Sequence, residues 1–281
     1  MPVDNGLAGD SFADDVSSRK MPVNKPIAVF DAGIGSYAIV AAIKKRLPRQ
    51  DILYFADRAS FPYGSKERGE LLAVMRRTIA FLESKDPSTI VIASNAPSIM
   101  VLDELRQYSS VPLFGVFPPL DEAFAASASG FIGIMGVRSL IESTALARFV
   151  ERHSAGRGDV ALINASPMVE LVESGSFLFS PAKTQAAVSA FIEEIFRQYP
   201  LIDVLTLSST HLPWLRPFFE AARPGCFFLD PAEKIVAGIG EGTPGSGEVL
   251  GLVTEGKEHN LETFRQMLAR LGVDIPLQRV G

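Results

Sequence analysis

The sequence predicts an α/β fold of two pseudo-symmetric lobes, whose mostly parallel sheets face each other across a cleft. Short apolar runs alternate with helix-like patterns along most of the chain, which is typical of parallel strands covered by helices. The alternation restarts after Pro118 and Pro119, so two similar series of strands follow each other. We expect a first lobe at residues 27–117 plus 228–281 and a second lobe at residues 118–227.

The first series contains continuous apolar runs, as expected for strands that are covered on both faces. We predict strands at IAVF (27–30), DILYFA (51–56), TIVIA (89–93) and VPLFGVF (111–117). Apolar residues at helical spacing predict helices at residues 37–47, from a Ser65 cap to residue 83, and from the end of TIVIA to residue 107.

The second series repeats this arrangement and then continues into a C-terminal segment. We predict strands at FIGIMG (131–136), DVALINA (159–165), DVLTL (203–207), CFFLD (226–230) and GLVTEG (251–256). We predict helices at residues 120–128, 139–152, 181–198 after a Ser180 cap, 213–222, from 231 onward, and 259–271, with a loop at 241–248.

Composition excludes several classes of protein. Residues 1–26 are rich in Asp, Ser, Gly and Pro and lack the apolar stretch of a secretory signal, so we predict a disordered tail. No run reaches the roughly 18 apolar residues that a membrane-spanning helix needs. The net charge of -5 comes without the clustered Lys and Arg that nucleic-acid binding requires. The single cysteine, Cys226, cannot form an internal disulfide, which favours a cytoplasmic location.

Two hydroxyl-rich turns follow buried strands. Ser94-Asn95-Ala96-Pro97 follows TIVIA, and the run from Ser208 to Pro213 follows VLTL. Ligands of open α/β sheets bind at the carboxyl ends of strands, so these turns are candidates for a binding site. The alternative is that both are ordinary helix caps.

Four segments in this order resemble the glutamate racemase branch of the aspartate/glutamate racemase family. They are FDAGIGS (30–36), FADRASFPYGSK (55–66), ASNAP (93–97) and SSTHLP (208–213), where the family has forms close to FDSGVGG, FGDxxxxPYGxK, ACNTA and GCTHYP. The resemblance covers residues 27–275. It implies a cofactor-independent interconversion of L- and D-glutamate that supplies peptidoglycan precursors, in which one cysteine thiolate removes the α-proton and a second thiol returns one.

The resemblance also assigns residues. It places Asp31 beside the substrate amine, and Tyr63 and Gly64 at the side-chain carboxylate, held largely by backbone N–H groups. It places Asn95 and Thr210 at the α-carboxylate and amine.

His211 takes the family's position beside the second catalytic residue, and Glu173 is a weaker match to an acidic residue near the cleft. The two catalytic cysteine positions are Ser94 and Ser209 in this chain. A hydroxyl is far less acidic than a thiol, so we expect racemisation to be lost or strongly reduced. Three further positions have lost hydroxyl groups that the family has, namely Ala32, Ala96 and Val137.

We therefore predict Ser94, Ser209, Asp31 and His211 at the catalytic positions. We predict substrate contacts at Ala32, Tyr63, Gly64, Asn95, Ala96 and Thr210, with no metal and no cofactor. The expected ligand is a small acidic amino acid, glutamate or a related carboxylate. Three functions stay open: a racemase, a binding protein that has lost thiol chemistry, and an isomerase or lyase that uses another base. The oligomeric state also stays open, a homodimer included.

Three other features of the sequence allow more than one interpretation. GIGSYA (33–38) matches the G-x-G-x-x-A form of dinucleotide sites, or a tight turn that needs glycine. Ser209 and His211 could indicate a serine hydrolase, but the chain has no G-x-S-x-G elbow. Arg58 and Arg138 are either surface cations or groups that reach into the cleft and replace lost hydroxyl contacts.

Overall fold

The computed structural model of the chain describes residues 24–240, 244–256 and 261–281. The predicted N-terminal tail therefore lies, up to residue 23, outside the described residues. The same holds for residues 241–243 of the predicted loop and for the first two residues of the predicted last helix.

Ten strands form two sheets in the described part of the chain. They are β1 (Ile27–Asp31), β2 (Ile52–Ala56), β3 (Thr89–Ile92), β4 (Leu113–Gly115), β5 (Phe131–Gly136), β6 (Asp159–Asn164), β7 (Val204–Leu207), β8 (Phe227–Leu229), β9 (Val249–Val253) and β10 (Leu277–Arg279). The larger sheet has the order β10-β9-β2-β1-β3-β4, and the smaller one has the order β6-β5-β7-β8. Every pairing is parallel, which confirms the predicted α/β class.

The helices connect successive strands, as parallel pairing requires. They are α1 (Tyr37–Arg46), α2 (Arg68–Glu83), α3 (Asn95–Met100), α4 (Leu102–Leu105), α5 (Leu120–Ala126), α6 (Arg138–Ile141), α7 (Thr144–Ser154), α8 (Ser166–Glu173), α9 (Ser176–Phe179), α10 (Pro181–Gln198), α11 (Arg216–Ala222), α12 (Ala232–Gly238) and α13 (Leu261–Arg270). Short 3-10 turns lie at Arg58–Ser60, Tyr63–Ser65 and Leu212–Leu215.

Strand β1 is the centre of the larger sheet and is buried on both faces. Val29 belongs to the core that also contains residues of the smaller sheet, whereas Phe30 belongs to a separate core against α2. The two-residue period of a strand sends successive side chains to opposite faces. Burial of a side chain such as Phe30 stabilises the fold by about 2 kcal/mol. Because both faces of β1 are buried, every residue of the run IAVF is apolar, and this unbroken apolar run correctly predicted a strand.

One local prediction was wrong, and some short elements were not predicted. Ser65 does not cap α2, because residues 66 and 67 are extended and the helix begins at Arg68 with Glu67 as its N-cap. Helices α8 and α9 and strand β10 were not predicted, and β10 is short and largely exposed. Strand β8 pairs with β7 in the smaller sheet, whereas β9 and β10 complete the larger sheet. The division into lobes at residues 27–117 plus 228–281 and 118–227 stays a prediction.

Candidate functional site

A cavity of about 430 Å³ lies between the carboxyl ends of the two sheets. Its walls come from the segments after β1, β2 and β3 in the larger sheet and after β5, β6 and β7 in the smaller one. The volume is in the range of small-molecule sites. Every site residue that the sequence predicted lies in this wall: Asp31, Ala32, Tyr63, Gly64, Ser94, Asn95, Ala96, Ser209, Thr210 and His211.

Asp31 is the last residue of β1 and is buried at the cavity wall. Burial raises the pKa of its carboxyl from 3.8 to about 6, although the charge of His211 and hydrogen bonds from the Ala32 N–H and the Ser94 hydroxyl oppose this rise. The Thr210 hydroxyl donates to Asp31 Oδ2 at 3.2 Å. This bond joins a residue of the larger sheet to the turn after β7, and it leaves Asp31 as an anionic group that a ligand ammonium could neutralise.

Asn95 is the second polar group that faces the cavity. Its side chain is buried at the start of α3, and neither Oδ1 nor Nδ2 has a hydrogen-bond partner among the described residues. An unsatisfied buried polar group costs roughly 1–3 kcal/mol. An amide offers both a donor and an acceptor, so Asn95 is suited to a ligand that carries a carboxylate and an ammonium.

His211 is part of a buried chain of contacts that crosses the two sheets. Its Nε2 atom lies 2.7 Å from Glu173 Oε1, and Arg58 Nη1 lies 2.7 Å from Glu173 Oε2. The backbone N–H of Ile34 donates to the same Oε1 at 2.6 Å. Burial alone would raise the pKa of Glu173, but the hydrogen bonds and charges of His211 and Arg58 outweigh it and lower that pKa from 4.5 to about 2. Glu173 is therefore a carboxylate at neutral pH.

The contacts of Glu173 determine how His211 presents its ring to the cavity. A carboxylate only accepts hydrogen bonds, so the Nε2–H of His211 donates to Glu173. The other ring nitrogen, Nδ1, lies 3.4 Å from Ser209 Oγ. In the neutral ring with this tautomer Nδ1 accepts from the Ser209 hydroxyl, and in the protonated ring Nδ1–H donates to Ser209 Oγ. Each of the two predicted serines thus has its own titratable neighbour: Asp31 for Ser94, and His211 for Ser209.

Comparison with known proteins decides the family. No protein-family model matches the chain. The curated glutamate racemase of Thermus thermophilus is 33% identical over 262 residues, which cover 88% of this chain and 92% of that protein. The chain belongs to the glutamate racemase family. A crystal structure of the Thermus thermophilus enzyme in complex with β-chloro-D-alanine has a TM-score of 0.75 and 30% identity, and the match covers 91% of this chain and 96% of that one. Isoform RacE1 from Bacillus anthracis, at 21% identity and a TM-score of 0.80 over 92% and 98% of the two chains, shares the fold.

The glycines of GIGSYA have a packing role in this member of the glutamate racemase family. A Cβ atom on Gly33 would overlap Glu173 Oε1 and His211 Nε2, and one on Gly35 would overlap the backbone and ring of His211. Trp214 also donates its Nε1–H to the Gly35 carbonyl at 3.1 Å. The close approach of the His211 turn to this loop therefore requires the absence of side chains here, which favours the tight-packing interpretation over the dinucleotide one.

Tyr63 and Gly64 line the cavity in different ways. The Tyr63 ring is buried against α2, and its hydroxyl donates to Asp57 Oδ2 at 3.1 Å. Burial and the nearby Asp57 raise the pKa of this phenol well above 10. Its side chain thus fixes the turn, and it is the backbone of this turn that can meet a ligand. Gly64 faces the second sheet, where Ser139 Oγ would lie 2.9 Å from a Cβ at this position.

The structure places three further residues at or behind the cavity wall that the sequence analysis did not include among the predicted site residues. Arg58 is buried, and Glu173 lies directly behind His211. Ser139 lines the cavity and its buried Oγ has no hydrogen-bond partner among the described residues. For Arg58 the sequence held no signal that separates it from a surface arginine. Ser139 lies three residues after the end of β5, and Ser94 lies two residues after the end of β3, so its place near the carboxyl end of a buried strand was its signal.

The remaining cavity wall contains small apolar side chains. Ala32, Ala96 and Val137 all line the cavity. Arg138 lies at the cavity edge with an exposed side chain, 4.0 Å from Glu142. Cys226 is buried outside the cavity, and burial raises the pKa of its thiol to about 12. Within the described ranges, no group of His, Cys, Asp or Glu side chains could hold a metal ion, and no helix is long and apolar enough to cross a membrane.

Proposed function

We propose that this chain binds a small acidic amino acid, glutamate or a close analogue, in the cavity between its two sheets, and that it does not racemise this ligand at the rate of a thiol enzyme. The observation that supports binding is the set of groups around the cavity. Asp31 can accept hydrogen bonds from an ammonium, and the Asn95 amide and the turn at Tyr63–Gly64 can meet carboxylates. A relative in this family was crystallised with D-glutamate, which is consistent with such a ligand.

The observation that argues against fast racemisation is the chemistry of residues 94 and 209. Both are serines at the cavity wall, and the one thiol of the chain, Cys226, is buried elsewhere. General-base catalysis contributes about 10² to 10⁴-fold per group, and a hydroxyl does not replace a thiolate as a base near pH 7. On this proposal the chain does not itself supply D-glutamate for peptidoglycan. The cytoplasmic location and a homodimer stay predictions.

The test combines calorimetry with proton exchange. L- and D-glutamate are titrated into the pure protein, and loss of the α-proton signal is followed by NMR in D₂O. We expect saturable binding of at least one enantiomer, with exchange far slower than in a thiol-containing glutamate racemase assayed alongside. Asn95→Ala should weaken binding at least tenfold, whereas Gln107→Ala, which removes an exposed amide, should not change it. Rapid exchange of both enantiomers would show that the chain is a working racemase, and absence of binding would reject an amino-acid ligand.

A second candidate is proton transfer by groups other than sulfur. Asp31 has a pKa of about 6, so it is suited to accept and return a proton near neutral pH, and His211 lies beside the other serine. This candidate predicts slow but measurable exchange that Asp31→Asn abolishes. It would fit an isomerase or lyase that acts on another carboxylate.

A further inference from the structure

Asp57 is a fully buried residue that directly follows β2 and does not itself line the cavity. Its Oδ2 atom accepts a hydrogen bond from the Tyr63 hydroxyl at 3.1 Å, and its Oδ1 atom accepts one from the Thr254 hydroxyl, also at 3.1 Å. Its backbone N–H donates to the carbonyl of Asp31 at 2.8 Å. Asp57 therefore joins the end of β1, the turn that carries Tyr63 and the end of β9.

Two of these three segments carry groups that the proposed function assigns to the ligand. The Asp31 carboxylate lines the cavity as the acceptor for an ammonium, and the turn at Tyr63–Gly64 lines it as a place where a carboxylate can bind. Asp57 is attached to the first segment through its backbone and to the second through its side chain. The separation of the two groups is therefore held by the hydrogen bonds of one residue behind the cavity wall.

Thr254 fixes the other oxygen of the Asp57 side chain. Thr254 is buried at the end of β9, and its hydroxyl accepts a hydrogen bond from the Ala59 N–H at 3.0 Å while it donates to Asp57 Oδ1. A backbone N–H can only donate, so the hydroxyl proton of Thr254 is left for Asp57. Thr254 does not line the cavity. Any effect of its hydroxyl on a ligand must therefore act through Asp57 and the turn at Tyr63.

We propose that Asp57 is a positioning residue that sets the length of ligand that the cavity accepts, and that Thr254 holds Asp57 in place for this role. The inference rests on the proposed function, in which an ammonium binds at Asp31 and a carboxylate of the same ligand binds at the Tyr63–Gly64 turn. An amino acid whose side chain is one methylene shorter or longer then fits the two groups poorly. One extra or missing methylene is typically worth about 10- to 200-fold in a substrate pocket.

The first test needs no ligand and uses Thr254→Val, which keeps the shape of the side chain and removes its hydroxyl. The N–H groups of Ser65 and Lys66 close the turn by donating to the carbonyls of Pro62 and Tyr63. We expect these two amide hydrogens to exchange with solvent at least about threefold faster in Thr254→Val than in wild type, as measured by NMR. Thr254→Ser keeps the hydroxyl and should restore the wild-type rates. Unchanged exchange in Thr254→Val would overturn the proposal.

Thr184→Val is the matched control for this exchange experiment. Thr184 is also a fully buried threonine, but it lies in α10 and its hydroxyl has no hydrogen-bond partner among the described residues. This variant should change neither the exchange of the turn nor the binding of a ligand. Tyr63→Phe removes the hydroxyl that donates to the other Asp57 oxygen, and it keeps the test decisive if Thr254→Val does not fold. It should speed up the exchange of the same two amides, and wild-type rates in Tyr63→Phe would contradict the role of Asp57.

The second test asks whether the effect reaches the ligand. L-Glutamate, L-aspartate and L-2-aminoadipate, which differ by single methylenes, are titrated by calorimetry into wild type, Thr254→Val and Thr254→Ser. We expect wild type to bind L-glutamate at least about tenfold more tightly than either homologue, and we expect Thr254→Val to reduce this ratio at least about threefold while Thr254→Ser keeps it. Equal affinity of wild type for all three ligands, or equal weakening of all three in Thr254→Val, would overturn the proposal, because a purely structural role weakens every ligand alike. If wild type binds none of the three, the proposed function itself fails and the selection of length with it.

Discussion

His211 Nε2 lies 2.7 Å from Glu173 Oε1, and both side chains are buried where the two sheets meet. The Glu173 carboxylate that contacts the His211 ring also forms an ion pair with Arg58 and accepts a hydrogen bond from the Ile34 N–H. A carboxylate with three such donors is stabilised in its charged form. One network of hydrogen bonds thus joins the loop after β1, the end of α8 and the turn after β7 at the cavity wall.

The first prediction concerns the stability that Glu173 contributes. Its pKa is about 2 in the folded chain against an ordinary 4.5, so its contribution is present above pH 4.5 and is lost as the pH falls through 2. The shift corresponds to about 3 kcal/mol, and removing one member of a buried ion pair has effects of similar size. We expect Glu173→Gln to lower the free energy of unfolding by about 3 kcal/mol at pH 7, as measured by urea denaturation.

The matched control is Glu142→Gln, because Glu142 also lies at the cavity but its side chain is 71% exposed. We expect this substitution to change the free energy of unfolding by less than about 0.5 kcal/mol. A similar loss of unfolding free energy in both variants would show that the buried contacts of Glu173 do not stabilise the fold specifically.

The second prediction concerns Asp31, whose pKa is shifted in the opposite direction. A carboxyl with a raised folded-state pKa stabilises the fold below its unfolded pKa of 3.8, and this stability is lost as the pH rises through about 6. At pH 8 the buried charge of Asp31 therefore lowers the free energy of unfolding of wild type by up to about 3 kcal/mol. We expect Asp31→Asn to be more stable than wild type at pH 8 and to differ little at pH 4, in urea denaturation at both pH values.

The same substitution should abolish L-glutamate binding, since the ammonium loses its carboxylate. A gain in stability together with a loss of binding is the usual exchange at a functional site. Asp103→Asn, which changes an exposed carboxyl in α4, serves as the control for both measurements. A loss of stability at pH 8 in Asp31→Asn would contradict the prediction.

The third prediction concerns the close approach at Gly33. A methyl group there would overlap Glu173 Oε1 and His211 Nε2, neither of which can withdraw without breaking the buried network. We expect Gly33→Ala to lower the free energy of unfolding by at least about 2 kcal/mol, within the range for overpacked sites. Gly69→Ala is the control, because a Cβ at Gly69 meets nothing within 4 Å and the residue lies in the first turn of α2. That variant should be as stable as wild type or slightly more so.

The sequence predicted the fold class and the cavity wall well because both depend on local patterns. TIVIA and VLTL are continuous apolar runs that end at serine, and parallel strands bring such ends to one edge. Ser94, Asn95, Ser209 and Thr210 line one cavity as that rule requires. Short exposed elements such as β10 gave no comparable signal.

The contacts behind the cavity wall could not be predicted in the same way. Arg58 and Glu173 are 115 residues apart in the chain and meet only because α8 packs beside the larger sheet's carboxyl edge. Neither the charge of Arg58 nor its spacing distinguishes it from a surface arginine. Tyr63 shows a related limit, since the turn was recognisable but the bond of its hydroxyl to Asp57 depends on three-dimensional packing.

The last prediction concerns thiols introduced at the two serine positions of the cavity wall. Cys226 is buried outside the cavity wall, and burial raises the pKa of its thiol to about 12, so it contributes no thiolate at neutral pH. We expect the double variant Ser94→Cys/Ser209→Cys to exchange the α-proton of both glutamate enantiomers at least about 10²-fold faster than wild type, because each new thiol supplies a competent base. Each single variant should exchange one enantiomer preferentially, since only one side of the ligand then faces a thiol.

Cys226→Ser in the same background is the control and should leave the rate unchanged. If the double variant binds glutamate but exchanges no faster than wild type, then the serines are not the cause of slow exchange. Ala32, Ala96 and Val137, where the resemblance predicts hydroxyl residues, are then the next positions to change.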